Sequence, residues 1–171
     1  MKNHVVLVVS IMVVLFLVLT ISVPVTGYSH PSASVLVVPY IFQANSIPAA
    51  GLIQPEELIK LLAAPQGEKP LLIQVGSHVL YQEAHVPGSE YVGPASSAAG
   101  LEKLRQRLQS VARKTRIILY CGCCPWGHCP NIKPAWELSQ SMGFSNVKVL
   151  YIAENFGTNW VDKGYPTAKG D

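Results

Sequence analysis

Every cysteine of the chain lies in one stretch, YCGCCPWGHCP, from Tyr120 to Pro130. The four are Cys121, Cys123, Cys124 and Cys129, and His128 stands among them. Thiols spaced this closely make a poor structural staple, because so short a loop removes little entropy from the unfolded chain. Three chemistries stay open: a thiolate nucleophile, a disulfide or resolving-thiol relay within the loop, and a soft-metal site. A bond between the neighbours Cys123 and Cys124 would be strained and readily reduced, hence a switch. Cys124 and Cys129 flank PWGH and are better spaced for a clip. No cofactor is expected. If the loop does hold a metal, Cys123, Cys124, Cys129 and His128 are its candidate ligands, and zinc or copper the candidate ion. The paired C-x2-C spacing of zinc knuckles is missing.

Cys121 has the strongest claim to the nucleophile, and the reason lies in the elements around it. IILY, Ile117 to Tyr120, is an unbroken apolar run and reads as a buried strand. NIKPAWELSQSMG, which follows the cysteines, reads as a helix, with Pro134 near its first turn and Gly143 at its C-terminal end. The cysteines therefore occupy a strand-to-helix loop, at the carboxyl edge where open α/β sheets place their sites. Backbone amides of such a loop create a positive field that lowers a thiol pKa and can hold an anionic sulfur species. Gly122 and Gly127 let the backbone approach closely. His128 and Lys133 are the nearest candidates for support by a proton or a charge.

The rest of the chain supplies the layers. QPEELIKLLAA, from Gln54, puts a proline and two glutamates in a first turn ahead of Leu58, Leu61 and Leu62. LLIQV, Leu71 to Val75, is a second buried strand. AHVPGSEYV is a turn leading to a short strand. Leu101, Leu104, Leu108 and Val111 fall at helical spacing, and VKVLYI is a third strand. Alternating helices and buried strands predict an α/β domain with a mainly parallel central sheet. Trp136, Trp160 and Tyr81 read as packing residues.

Four pieces, in order, resemble the rhodanese-like sulfurtransferase domain. They are LLIQV with YQEAHVPGSEYV; IILYC; PAWELSQSMGFSNVKVL; and the closing NWVDKGYP. The resemblance runs from about Gln54 to Gly170. It implies a three-layer rhodanese-like fold and a catalytic cysteine at Cys121 that carries persulfide sulfur between a small sulfur donor and a thiol acceptor. It also implies a turn-forming role for His85. Two departures stand out. The family often has Asp and Arg where this chain has Gln74 and Gly76. Its active loop is usually shorter and often holds an arginine, whereas none lies between Cys121 and the helix here. A divalent anion such as thiosulfate would find amides but little fixed positive charge. The alternative is a non-catalytic metal-binding, redox-sensing or interaction module on the same scaffold.

Before the domain, MKNH is followed by Val5 to Val23 without a charge. As a helix this run spans about 28 Å, enough for a bilayer core. Residues 1–27 are expected to be a signal peptide or a membrane anchor, 28–50 a linker, and 51–171 the domain. The protein is then exported, periplasmic or extracellular, touching a membrane only through residues 5–23 if these are uncleaved. Net charge is only +3. The basic residues from Lys103 to Arg116 lie along a helix without interleaved aromatics, which excludes a nucleic-acid site.

Overall fold

The structure, a computed structural model, describes residues 46–171 apart from Gln66 and Glu68. The expected leader, with its apolar run Val5–Val23, and the linker up to residue 45 lie outside the described residues. Among the described residues no helix is long and apolar enough to cross a membrane.

Five strands form one sheet: β1 (Leu52–Ile53), β2 (Leu71–Gln74), β3 (Glu90–Tyr91), β4 (Ile117–Tyr120) and β5 (Val147–Leu150). Their order is β1-β5-β4-β2-β3 and every pairing is parallel. β4 is the central strand. It pairs with β2 from Leu71↔Ile117 to Gln74↔Tyr120, and with β5 from Ile117↔Val147 to Leu119↔Val149. All four of its residues are buried, as an unbroken apolar run in a parallel sheet covered on both faces must be.

Side chains alternate along a strand, so β4 feeds two cores. Ile117 and Leu119 join Ile73, Val149, Leu104, Leu108, Ala135 and Leu138 on one face. Ile118 and Tyr120 join Leu72, Leu150, Leu58 and Trp160 on the other. The helices that cover these faces are α1 (Pro55–Ala63), α3 (Ala98–Gln109) and α4 (Ile132–Ser141), while the short α2 (His78–Glu83) buries only Tyr81. The result is the expected three-layer α/β architecture.

Local chemistry explains each helix start. α1 begins with a capping box between Gln54 and Glu57 and with Pro55 in its first turn. Its Leu58 is fully buried, which contributes about 1.5–3 kcal/mol. α3 is capped by Ser97, whose hydroxyl accepts from the Gly100 amide at 3.0 Å. Ahead of β1, Ile47 already packs in the first core, with Trp136 half-buried against it.

α2 and a π-helical turn at Gly157–Val161 were not anticipated from the sequence. The turn seats Trp160 fully in the second core, where its ring nitrogen donates to the Pro166 carbonyl at 2.8 Å. His85 holds the segment after α2. Its ring stacks on buried Tyr81 at 3.9 Å, its Nδ1 lies 2.8 Å from the Tyr81 carbonyl, and its backbone bridges to Ala168. The Tyr120 hydroxyl then ties that turn to the central strand. It accepts from the Val86 amide at 3.2 Å and shares a hydrogen bond with Ser89 at 2.7 Å.

Candidate functional site

β4 delivers Cys121. Continuing the alternation of Ile117 and Leu119, its side chain falls in the first core beside Ile73 and Val75. The chain must turn away from the sheet at once, and Gly122 does so at φ +73. A Cβ there would stand 2.7 Å from the Cβ of Phe156, so glycine is required by space as well as by dihedral. The Gly122 carbonyl accepts from the Phe156 amide at 2.9 Å. Farther on, the Trp126 amide donates to Ala153 at 2.9 Å and the Trp126 ring lies 5.0 Å from Tyr151. The loop is thus latched at two points to the segment after β5. A short 3-10 turn, Trp126–His128, contains Gly127 and returns the chain to Cys129 and α4.

The thiols converge. Cys121 donates to Cys123 across 3.3 Å, and Cys123 lies 3.0 Å from Cys124. All four cysteines are free thiols, Cys121 and Cys129 buried, Cys123 and Cys124 half-buried. The 3.3 Å separation is a contact, since a disulfide would bring the sulfurs to about 2.05 Å. Cys121, Cys123 and Cys129 have sulfur atoms all within 4.8 Å of one another. Cys124 is not in that group, and His128 is exposed outside it. Lys133 is also exposed, and its ammonium pairs with Glu137 at 3.8 Å along its own helix. The structure therefore gathers the cysteines and leaves His128 and Lys133 exposed outside the three-sulfur group.

Asn131 completes the cluster, and it was not singled out in the sequence. Its Nδ2 donates to Cys121 at 3.3 Å and to Cys123 at 3.8 Å, while its Oδ1 accepts from the Ser96 amide at 2.9 Å. Asparagine at a helix start ordinarily caps the helix. Here α4 has no side-chain cap, because the oxygen that would cap it accepts from Ser96 while the nitrogen faces the sulfurs. The signal was present as an N-cap residue directly after Cys-Pro.

The hydrogen bonds order the thiols electrostatically. The Cys123 pKa is held well below the ordinary thiol range, first by the bond from Cys121, then by Cys129, with Cys124 and Asn131 adding to it. Cys121 is pushed up, first by donating to Cys123, then by Cys129 and burial. Burial pushes Cys124 up to about 12, with its bond to Cys123 second. Negative charge in the cluster is centred on Cys123.

Gln74 and Gly76 are the two positions at which the sequence departs from the resemblance, and their geometry is specific. The buried Gln74 amide accepts from the Gly76 N–H at 2.9 Å and donates to the Cys121 carbonyl at 3.4 Å. A neutral bridge thus joins the ends of β2 and β4. A Cβ at position 76 would stand 2.6 Å from the Cys121 sulfur. The space of the absent side chain is where the thiol sits.

Known proteins share this arrangement of elements. The Alr3790 protein from Anabaena sp. is similar at 20% identity and TM-score 0.53, over 69% of this chain and 82% of that one. The solution structure of its rhodanese-like domain gives 19% identity and TM-score 0.51, over 70% and 80%. The BH2092 protein from Bacillus halodurans gives 18% identity and TM-score 0.51, over 69% and 76%. At these identities the likeness is one of fold. No curated protein matches the chain by sequence. The family model described as the rhodanese-like domain, in contrast, matches residues 54–151, more than half of the sequence. That span carries the strand, thiol loop and α4 just described, and the chain belongs to the rhodanese-like domain family.

Proposed function

We propose that this rhodanese-like domain is a sulfurtransferase that carries persulfide sulfur on Cys121. One observation carries the reading: Cys121, at the end of the central strand, donates to a second thiol 3.3 Å away and receives the Asn131 amide at 3.3 Å. In the forward step the Cys121 sulfur attacks the sulfane sulfur of a donor. A new S–S bond forms, and the bond between that sulfur and the rest of the donor breaks, its electron pair leaving with the donor fragment. The Cys121 proton passes to Cys123 along the hydrogen bond already in place. The terminal persulfide sulfur then goes to a thiolate acceptor, whose attack returns the electron pair to Cys121. Loop amides and the Asn131 amide offset the charge that develops.

Donor choice follows from charge. His128 is exposed and Lys133 is engaged with Glu137. A dianion would be held by neutral donors, and hydrogen bonds to them are about half as strong as charge-assisted ones. The reading is therefore of a domain suited to low-molecular-weight persulfides or polysulfides rather than to thiosulfate.

The test is the mass of the reduced, full-length chain after incubation with polysulfide. A gain of one sulfur on the Cys121 peptide, lost in Cys121→Ser, is expected. Uptake on the Cys124 or Cys129 peptide in the parent, or undiminished uptake by Cys121→Ser, overturns the assignment.

A further inference from the structure

We infer that Cys121, Cys123 and Cys129 form a three-coordinate site for copper(I). Their sulfurs arrive from three separate places, a strand end, the loop and the entry to α4, and all lie within 4.8 Å of one another. A metal–sulfur bond of about 2.3 Å places the corners of a trigonal sulfur site about 4 Å apart. An ion at the centre therefore requires only sub-ångström adjustments. This set differs from the one read in the sequence, which used Cys124 and His128 and left out Cys121. His128 is exposed on the 3-10 turn and Cys124 lies outside the converging group.

Two features choose the ion. Among the described residues three sulfurs make up the mutually close set, and Cys124, which touches Cys123 at 3.0 Å, stands outside it, whereas protein zinc is ordinarily four-coordinate. Cys121 and Cys129 are buried in one core cluster with Ile73, Val75 and Ile132. Soft thiolates in an apolar, dry setting select copper(I). Each ligand that is still a thiol releases its proton to solvent, Cys123 binds as the thiolate it already is, and copper enters already monovalent, so no electron changes hands. The Asn131 Nδ2, at 3.3 Å from Cys121 and 3.8 Å from Cys123, donates to sulfurs that become more negative on ligation.

This site does not depend on the sulfur-carrier reading, and it engages Cys129, which that reading does not use. The test uses the full-length chain, reduced and desalted without oxygen. Copper(I) is added as its acetonitrile complex in competition with the chelator bicinchoninate, and the bound metal is examined by X-ray absorption. Expected are one copper per chain with three sulfur neighbours, loss of the ion in Cys123→Ser and Cys129→Ser, and retention in Cys124→Ser. No binding by the parent, two or four sulfur neighbours, or full binding by a folded Cys129→Ser overturns the site. A parallel zinc(II) arm overturns the choice of ion if zinc displaces copper(I) from the chain. Where Cys129→Ser fails to fold, the sulfur count on the parent chain decides. Sulfur uptake is scored separately. A chain that gains sulfur but takes no copper overturns the metal site alone, and a chain that binds copper but gains no sulfur overturns the carrier reading alone.

Discussion

The side-chain amide of Asn131 donates to the sulfur of Cys121 at 3.3 Å, and the same side chain accepts from the Ser96 backbone at 2.9 Å. One residue at the start of α4 thus fixes the thiol relative to the segment ahead of α3. Ser96 itself is exposed, so water can replace the lost acceptor when the amide is removed. Asn131→Ala is therefore expected to cost only about 1 kcal/mol of stability, by chemical denaturation. Sulfur uptake should slow by roughly fivefold, the worth of one neutral hydrogen bond. Asn131→Asp, which sets a carboxylate beside the thiol, should slow it further and shift its pH profile upward. A large stability loss with unchanged uptake would show that the residue serves the fold alone.

Gly76 is expected to be intolerant of any side chain. Gly76→Ala brings a Cβ to 2.6 Å from the Cys121 sulfur and 3.1 Å from the Gln74 amide nitrogen. Overpacking of this kind costs about 1–3 kcal/mol. Thermal melting should show that loss, together with slowed sulfur uptake. Gly76→Arg should fail to improve thiosulfate turnover, because the guanidinium stem would take the place of the thiol. Improved turnover would show that the strand end can open to admit it.

Lys133→Ala tests the charge argument. The exposed pair with Glu137 is a surface ion pair along one helix, of the kind that contributes less than about 1 kcal/mol. The thiosulfate KM should change by less than about twofold, as should stability. A large rise in KM would mean that the ammonium leaves Glu137 and reaches the loop when an anion binds.

Alkylation should distinguish the thiols. Cys123 and Cys124 are half-buried, Cys121 and Cys129 buried, and the accepted hydrogen bonds hold Cys123 in its charged form to lower pH than a free thiol. A free cysteine loses reactivity about tenfold for each pH unit below about 8.5. Limited iodoacetamide labelling, mapped by peptide mass, should favour Cys123 and fall less steeply than this as pH is lowered. A free-thiol pH dependence at Cys123 would place the charge elsewhere in the cluster.

Much of this molecule is legible in its sequence, for identifiable reasons. IILY is apolar without interruption and LLIQV is broken only by Gln74, and only strands covered on both faces call for that. Pro55 with Glu56 and Glu57, and Leu104 with Leu108, mark helices through local chemistry that needs no tertiary contact. α2 was missed because HVLYQE is a single turn and a half in which only Tyr81 is buried, too short to show a period. The π-helical turn owes its form to Trp160 reaching the second core, a requirement set by the far side of the fold. At the site, the loop position of the cysteines was readable from the strand before it and the helix after it. The roles of Asn131, Gln74 and Gly76 were not, since each depends on which backbone passes beside it. The absence of the Gln74 and Gly76 charges was visible, but the space it leaves for the Cys121 sulfur was not.

The latching of the loop has a consequence for motion. β4 is hydrogen-bonded along both edges, to β2 and to β5, so its amides should exchange with solvent only when the sheet itself opens. The loop beyond it is tied to the segment after β5 by the bonds from Phe156 to Gly122 and from Trp126 to Ala153 and by the contact of the Trp126 and Tyr151 rings. Cys121 sits at the boundary between these two cooperative units. Releasing the latches would expose its sulfur while the strand beneath it stays protected, so the domain can open its chemistry without loosening its fold. In hydrogen-exchange measurements the boundary should appear as a sharp step in protection, high through Tyr120, low over the loop from Gly122 to Cys129 and high again in α4 and β5.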